Sequence, residues 1–258
     1  MIYIRKQPCP SRIEQAIKVL TESAEWQNLP EQPNPEQAEV IRKKYFDKLD
    51  KNTIRKALVE EQHGLCAYCM DKIDAIGDKM VLEHWYPLSR SKSKALSYEN
   101  MLASCKGGDT DQHSDTNKVF CCDKHKGHAT ISIDPQNEAM MASIRYFPNG
   151  IIYIDDSYGS KRERNILSQD INQTLMLNGR FDSKKNLVKQ DTTTQLVKKR
   201  KDIFQAESEF LLSGIEDGDI DADWIEKEII SLTSSPGWEA FLGVKLYVLR
   251  YYLEKIKD

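Results

Sequence analysis

The residue types that bind metals through sulfur and imidazole are gathered in one quarter of this chain. Five of the six cysteines lie between residues 66 and 122, and all five histidines lie between residues 63 and 128. Core packing alone would not concentrate these residues, whereas a shared metal site requires them close together. The sequence therefore predicts a metal-binding module in this part of the chain.

The remaining composition narrows the class of protein. Hydrophobic residues make up 40% and charged residues 30% of the 258 residues, as is typical of a soluble globular chain. The sequence contains no run of about 20 apolar residues, so it predicts no membrane span. The segment MIYIRKQPCP lacks the apolar stretch of a secretory signal, so we expect a cytoplasmic protein without structural disulfides. A net charge of -3 excludes a histone-like basic protein but permits a local basic groove.

The cysteine spacing favours zinc over redox chemistry. Cys66 and Cys69 form a CxxC pair, which is half of a zinc site or a redox dithiol. A thioredoxin-like dithiol requires a βαβ context, which the surrounding sequence does not show. Cys105 and Cys122 supply the second half of a four-thiolate site, and Cys121 is the alternative to Cys122. The predicted structural zinc would stabilise a polar segment that has few apolar residues to bury.

Periodicity predicts a mainly helical α+β chain. Helices are predicted over 11–27, 36–50, 52–63, 160–177, 183–213, 221–233 and 236–257. Short strands are predicted around 65–69 and 79–83, a helical or extended piece over 98–104, an insertion loop over 106–118 and a short helix from 122. The stretch SIRYFPNGIIYIDD predicts a β-hairpin that turns at residues 147–150. We expect an N-terminal helical region (1–51), a metal module (52–134), and a hairpin followed by a helical region (135–258).

The order of polar residues inside the metal module is similar to that of a known family. Glu83 and His84 precede a turn at Pro87, Asn100 follows, and Cys122 is followed directly by Asp123. This order resembles the HNH endonucleases, whose ββα-metal fold contains a zinc knuckle. The stretches LEHWYPLSR, YENMLASCKGG, CDKHKG, IRYFPNGIIYIDD and LMLNGR look like the PtuB family of HNH proteins from Septu-type antiviral systems, also found beside some retrons. The resemblance is strongest over about residues 52–180.

Two departures from the family pattern stand out. The second cysteine pair, Cys105 and Cys122, is split by a spacing of seventeen residues instead of two. Asp123 stands where many family members carry His or Asn. Because Asp is a good Mg²⁺ ligand, this substitution preserves the expected chemistry.

The resemblance implies a role for each residue of the site. His84 would be the general base, Asn100 would hydrogen-bond its imidazole, and Glu83 and Asp123 would ligate a catalytic Mg²⁺ or Mn²⁺. His125 is an alternative to Asp123, and His84 could instead be a zinc ligand in a Cys₃His site. The cations expected to contact phosphate are Lys126, Lys124 and Arg90.

The implied function is endonucleolytic cleavage of nucleic acid. DNA is the favoured substrate and RNA, including tRNA, is the alternative, since no base-reading module is evident. The resemblance also implies a companion ATPase (PtuA-like) and a role in antiphage defence. A zinc-stabilised binding or scaffold module without catalysis, or a CxxC redox protein, would account for the cysteines but not for the order of Glu83, His84, Asn100 and Asp123.

Overall fold

A computed structural model describes residues 1–77, 79–108, 120–180 and 192–257, with the side chains of 192–194 excepted. Its helices are α1 (Ser11–Thr21), α2 (Ala24–Asn28), α3 (Pro35–Val40), α4 (Lys51–Glu61), α5 (Lys92–Ala95), α6 (Cys122–Lys126), α7 (Glu138–Ala142), α8 (Lys161–Gln169), α9 (Thr192–Glu216), α10 (Ala222–Ser234) and α11 (Leu242–Lys257). Its strands are β1 (Val81–His84), β2 (Met101–Ser104), β3 (Ile144–Tyr146) and β4 (Ile152–Ile154). The predicted α+β class is confirmed. Most of the predicted insertion loop and residues 183–191 of a predicted helix lie outside the described residues.

Strands β1 and β2 form a short antiparallel pair. Strand β1 pairs with β2 so that Glu83 lies opposite Leu102 and His84 opposite Met101. All four residues of β2 are buried, and the first three of them are apolar. The short helix α5 lies in the connection between the two strands, and helix α6 follows β2 in the sequence.

The prediction of a strand around residues 65–69 is wrong. Leu65 and Lys72 form an isolated antiparallel bridge, and the residues between them make a turn that contains Cys66 and Cys69. In a straight strand, residues three apart point to opposite faces, so the two thiols could not meet. The turn allows both to face the same point, and Met70 after it adopts a left-handed conformation with φ of 65°.

The predicted N-terminal helices are present but broken. The helix expected over 11–27 ends at Thr21, and a second begins after Ser23, whose hydroxyl accepts a hydrogen bond from the backbone N–H of Trp26. The helix expected over 36–50 continues from α3 as a π-turn over Ile41–Tyr45 and a 3₁₀ turn over Phe46–Lys48. Phe46, at the start of the 3₁₀ turn, packs its ring against His84 of β1.

The β-hairpin predicted after residue 135 is confirmed, and helix α9 packs against its turn. Strands β3 and β4 pair with Ile144 opposite Ile154, and the backbone N–H of Gly150 donates to Phe147 O at 2.8 Å. Gly150 has φ of 85°, and a Cβ atom there would lie 2.2 Å from the carbonyl oxygen of Val197 in α9. Glycine therefore permits both the turn and the close approach of α9.

One apolar cluster joins the parts of the chain that the structure describes. Its buried members run from Met1 through the hairpin β1–β2 to Leu249, so all three predicted regions contribute side chains to it. The division into three regions stays a prediction. Within the described ranges, no helix is long and apolar enough to cross a membrane.

Candidate functional site

Four cysteine thiols converge on one point between the hairpin and α6. The sulfur atoms of Cys66, Cys69, Cys105 and Cys122 all lie within 4.8 Å of one another. The Sγ atoms of Cys66 and Cys122 are 3.9 Å apart, and those of Cys69 and Cys105 are 3.6 Å apart. Zn–S bonds of about 2.3 Å in a tetrahedron place sulfur atoms about 3.8 Å apart. The cluster therefore has the geometry to hold a metal ion such as zinc.

Backbone N–H groups point at these sulfur atoms. The N–H of Cys105 lies 3.3 Å from Cys66 Sγ, that of Asp71 3.5 Å from Cys69 Sγ, and that of Gly107 3.4 Å from Cys105 Sγ. Such donors stabilise thiolates, the form in which cysteine binds zinc. The donor set thus fits a zinc ion as well as the sulfur spacing does.

Cys121 lies beside the cluster and outside it. Its sulfur is 3.6 Å from that of Cys122, but it does not belong to the group of four mutually close thiols. Its backbone N–H donates to Gly107 O at 3.0 Å, while Cys122 takes a φ of 54°. This geometry favours Cys122 as the fourth ligand.

Glu83 is a buried carboxylate with two protein donors on one oxygen. Lys126 Nζ lies 2.7 Å from Oε1, and the Tyr68 hydroxyl donates to the same atom at 2.9 Å. Burial raises the pKa of Glu83 well above its usual range, and the adjoining Asp123 carboxyl raises it further, against the opposing charge of Lys126. Two carboxyl groups from different elements, β1 and α6, are therefore side by side.

These carboxyl groups lie in a cleft of about 1080 Å³. Glu83, His84 and Asp123 line it together, so the structure brings the three predicted residues to one place. Tyr86, Pro87 and Arg90 follow from the turn after β1, and His128 from the turn after α6. The opening of the cleft gives a ligand access to a pair of carboxylates and an imidazole.

The imidazole of His84 is held by contacts on two sides. Its Nε2 lies 3.0 Å from the carbonyl oxygen of Ala95, and its ring packs edge-on against Phe46 with centroids 4.6 Å apart. Because a carbonyl can only accept, Nε2 carries the proton and Nδ1 keeps the lone pair. Burial lowers the pKa of His84 to about 4, so the ring is neutral at pH 7. It does not belong to the cysteine cluster, which is complete without it.

Asn100 does not hydrogen-bond the imidazole, and that expectation is wrong. Its Oδ1 accepts from the N–H of Tyr86 at 2.8 Å, and its Nδ2 donates to Tyr86 O at 2.8 Å and to Lys94 O at 3.0 Å. Asn100 thus holds the turn after β1, while Ala95 O orients the ring. Both N–H donors of this amide go to backbone carbonyls and its oxygen accepts from a backbone N–H, so the amide is committed to the turn and the imidazole finds its acceptor in Ala95 O.

Lys126 is not placed to contact phosphate, contrary to expectation. Its side chain is fully buried, with Nζ on Glu83 and 3.0 Å from the carbonyl oxygen of His84. Arg90 is exposed at the cleft and donates from Nε to His128 O at 3.1 Å. Lys124 is exposed on α6 with its ammonium 5.3 Å from the ring centre of Phe120.

The alternative metal ligand His125 turns away from the carboxylates. Its Nδ1 lies 3.0 Å from the carbonyl oxygen of Thr174, and its side chain does not line the cleft. Asp123 therefore remains the α6 residue beside Glu83.

Several residues of the site were not identified from the sequence. Tyr68 lies inside the CxxC turn and contacts Glu83, and His128 and Arg42 line the cleft. Tyr68 stands inside the CxxC pair, and its place between the two ligands is the only local signal for it. Arg42 comes from a segment about forty residues before β1, and no spacing rule links the two.

The N-terminal region forms the second wall of the cleft. Pro33, Pro35, Arg42 and Phe46 line that side. The wall is attached to the turn after β1 through Glu31, whose Oε1 accepts from the Ser91 hydroxyl at 2.6 Å and the Ser93 hydroxyl at 2.7 Å. The cleft is thus built from two regions that are distant in sequence.

The sequence matches no known family model and none of the curated proteins with which it was compared.

Proposed function

We propose that this protein is a metal-dependent endonuclease of the HNH type that hydrolyses phosphodiester bonds of nucleic acid. The observation that carries the proposal is the meeting of Glu83, Asp123 and the neutral imidazole of His84 in one cleft. The antiparallel pair β1–β2 and the helix α6 beside a four-cysteine cluster support it, as does the resemblance of the surrounding motifs to the HNH family.

The residues present fit the catalytic cation that such an enzyme requires. Glu83 and Asp123 offer carboxylate oxygens, which Mg²⁺ and Mn²⁺ prefer. Two adjoining carboxylates repel each other, so a divalent cation between them would relieve a cost that the protein otherwise bears. When bound, the cation supplies charge stabilisation to the phosphate and to the leaving oxygen. The cysteine cluster would hold zinc and act only on the fold.

His84 would act as the general base. With Nε2 donating to Ala95 O, Nδ1 is the nitrogen that takes the proton from the attacking water. The fixed ring orientation limits the motion that proton transfer would otherwise require. Asn100 contributes indirectly because it holds the turn that follows His84.

The cleft walls suit a phosphate backbone as the substrate. Arg42 and Arg90 line the cleft and are exposed, with Arg42 also paired to Glu39 and Asp47, and His128 adds an exposed imidazole. Arginine side chains of this kind contact phosphate without reading base sequence. DNA remains the favoured substrate, and RNA the alternative.

The test compares nucleic-acid cleavage by the zinc-loaded wild-type protein with cleavage by the zinc-loaded variant His84→Ala. We expect Mg²⁺- or Mn²⁺-dependent nicking of supercoiled plasmid, or cleavage of tRNA, to fall by about 10²–10⁴-fold in His84→Ala. Zinc content, measured by mass spectrometry of the metal, should be unchanged. His125→Ala is the matched control, since this ring lies on α6 outside the cleft, and it should cut as the wild type does.

Cleavage that survives His84→Ala would contradict the assigned base. If neither nucleic acid is cut under any metal condition while zinc and nucleic acid still bind, the non-catalytic binding module becomes the better proposal. The buried ion pair of Glu83 with Lys126 favours that alternative, since such a pair also occurs for structural reasons.

The resemblance to the PtuB family supports a companion ATPase and a role in antiphage defence. An ATPase gene beside this one, whose product co-purifies with this chain, is the expected result. Phage protection that requires both genes and is lost in His84→Ala would support the same proposal. Protection unchanged by His84→Ala would contradict it.

A further inference from the structure

We propose that Tyr68 is a positioning residue that fixes the Glu83 carboxylate for cation binding and links it to the cysteine cluster. The inference rests on the proposed function, because it assigns a role to Tyr68 in the cation site that Glu83 and Asp123 would form. Tyr68 itself touches neither the substrate nor the reacting atoms.

The geometry around Glu83 divides its two oxygens between different tasks. Tyr68 is fully buried, and its hydroxyl donates to Oε1 at 2.9 Å, the same atom that Lys126 contacts at 2.7 Å. Among the described residues, no hydrogen bond from a hydroxyl, an ammonium or a backbone N–H reaches Oε2, and the remaining polar neighbour of this carboxyl is Asp123. Both of these protein donors are therefore on one oxygen, which leaves Oε2 and the Asp123 carboxyl as the groups that a cation would contact.

A second buried glutamate in the same molecule is also contacted by a lysine and a tyrosine, and it shows what a purely structural arrangement looks like. Glu61 is also buried and is also contacted by a lysine, Lys6, and by a tyrosine hydroxyl, that of Tyr98. There the donors are spread over both oxygens: Lys6 on Oε1, and Tyr98 at 3.1 Å and the N–H of Gln7 at 3.1 Å on Oε2. Neither oxygen is left for a cation. The one-sided pattern at Glu83 is thus not a general consequence of burying a glutamate beside a lysine and a tyrosine.

The location of Tyr68 ties this pattern to the cysteine cluster. Tyr68 stands between Cys66 and Cys69 in a turn that the two thiols hold closed around one point. The N–H of the neighbouring Ala67 donates to Ala103 O in β2 at 3.0 Å, so the turn is also attached to the hairpin. The position of the Tyr68 hydroxyl, and with it the rotamer of Glu83, is therefore set by the thiol cluster. Mutation of a residue that orients a metal ligand in this way typically lowers metal affinity by about 10–100-fold.

The experiment compares Tyr68→Phe with Tyr98→Phe in the zinc-loaded full chain. Each variant removes one hydroxyl from a buried tyrosine that donates to a buried glutamate. Mn²⁺ affinity is measured by electron paramagnetic resonance. We expect affinity to fall about 10–100-fold in Tyr68→Phe and to stay within about twofold in Tyr98→Phe. Zinc content should be unchanged in both.

Cleavage kinetics give a second readout that a merely structural role would not move. At low Mn²⁺, Tyr68→Phe should lower kcat with little change in KM for nucleic acid. Saturating Mn²⁺ should restore kcat, because the residue acts through the affinity for the cation and not through the chemical step.

A measurement on the unsubstituted protein keeps the proposal testable even where a variant does not fold. In protein labelled with ¹³C at the tyrosine ζ carbon and assigned through its backbone, Mg²⁺ should shift the Tyr68 signal and leave the Tyr98 signal in place. An unmoved Tyr68 signal during Mg²⁺ binding, or equal Mn²⁺ affinity in Tyr68→Phe and wild type, overturns the role of Tyr68. If Asp123→Asn leaves Mn²⁺ affinity unchanged, the cation site itself, and with it the proposed function, is wrong.

Discussion

Lys126 places a positive charge where water does not reach it. Its side chain is fully buried and joins the carboxylate of Glu83 to the backbone oxygen of His84. It therefore holds the end of β1 against α6, and the two predicted catalytic residues depend on it for their relative position. A lysine at the surface could not do this, since an exposed ion pair contributes little to stability.

Replacing Lys126 by Met should destabilise the fold. The change leaves the Glu83 carboxylate buried without its charged partner, a cost of about 3–5 kcal/mol in free energy of unfolding. Urea unfolding of the zinc-loaded protein measures it. Lys124→Met, on the exposed side of the same helix, should change the free energy by no more than about 0.5 kcal/mol. Equal effects of the two variants would contradict the burial of Lys126.

At the scale of elements, the cysteine cluster joins three short pieces that have little structure of their own. Cys66 and Cys69 belong to the turn after α4, Cys105 follows β2, and Cys122 begins α6. Gly107 makes the connection possible, because a Cβ atom there would lie 2.1 Å from Cys121 O. A bound metal would therefore stabilise the hairpin and helix that hold Glu83 and Asp123.

Cys122→Ser and Cys121→Ser should differ sharply in zinc binding. We expect one zinc per chain in the wild type and in Cys121→Ser, and loss of zinc in Cys122→Ser, because only Cys122 completes the four close thiols. Metal analysis after dialysis measures this. Since structural zinc contributes about 10 kcal/mol or more to folding, Cys122→Ser should also melt at a lower temperature. Zinc retained by Cys122→Ser and lost by Cys121→Ser would reverse the assignment.

At the scale of the whole molecule, α9 is attached to the hairpin through a buried arginine. Arg200 is inaccessible to solvent, and its Nε donates to Gly150 O at 2.7 Å and its Nη2 to Leu177 O at 2.8 Å. Burial lowers the pKa of Arg200 to about 10, yet the guanidinium stays charged at pH 7. The C-terminal helices are thus packed on the hairpin that follows the metal module.

Arg200→Met should loosen this attachment. The change leaves buried carbonyl oxygens of Gly150 and Leu177 without donors, and we expect a loss of about 3 kcal/mol in free energy of unfolding. Limited proteolysis should cut near α9 sooner than in the wild type. Lys201→Met, the exposed neighbour, is the control and should behave as the wild type. Unaltered proteolysis in Arg200→Met would contradict its role in holding α9.

Much of the local structure could be predicted from the sequence. The hairpin over residues 144–154 follows from alternating apolar residues around Pro148-Asn149-Gly150, and α4 follows from its apolar spacing, although its N-cap is Asp50 and not Asn52 or Thr53 as the sequence suggested. The breaks in the N-terminal helices could not, because Ser23 and the π-turn at 41–45 act through caps and packing that periodicity does not register. Element type depends on neighbours along the chain, whereas element ends depend on contacts that are made only after folding.

For the site, the sequence by itself determined which chemical groups are present and in what order: the CxxC pair, the Glu83-His84 step, and Cys122-Asp123. Only the tertiary structure decided which atoms meet. It placed Asn100 on the backbone of Tyr86, buried Lys126 on Glu83, and brought Tyr68 and the N-terminal wall to the cleft. The physical reason is range. Spacing rules act over a few residues, whereas these contacts join residues fourteen to more than forty positions apart, whose approach depends on how the whole core packs.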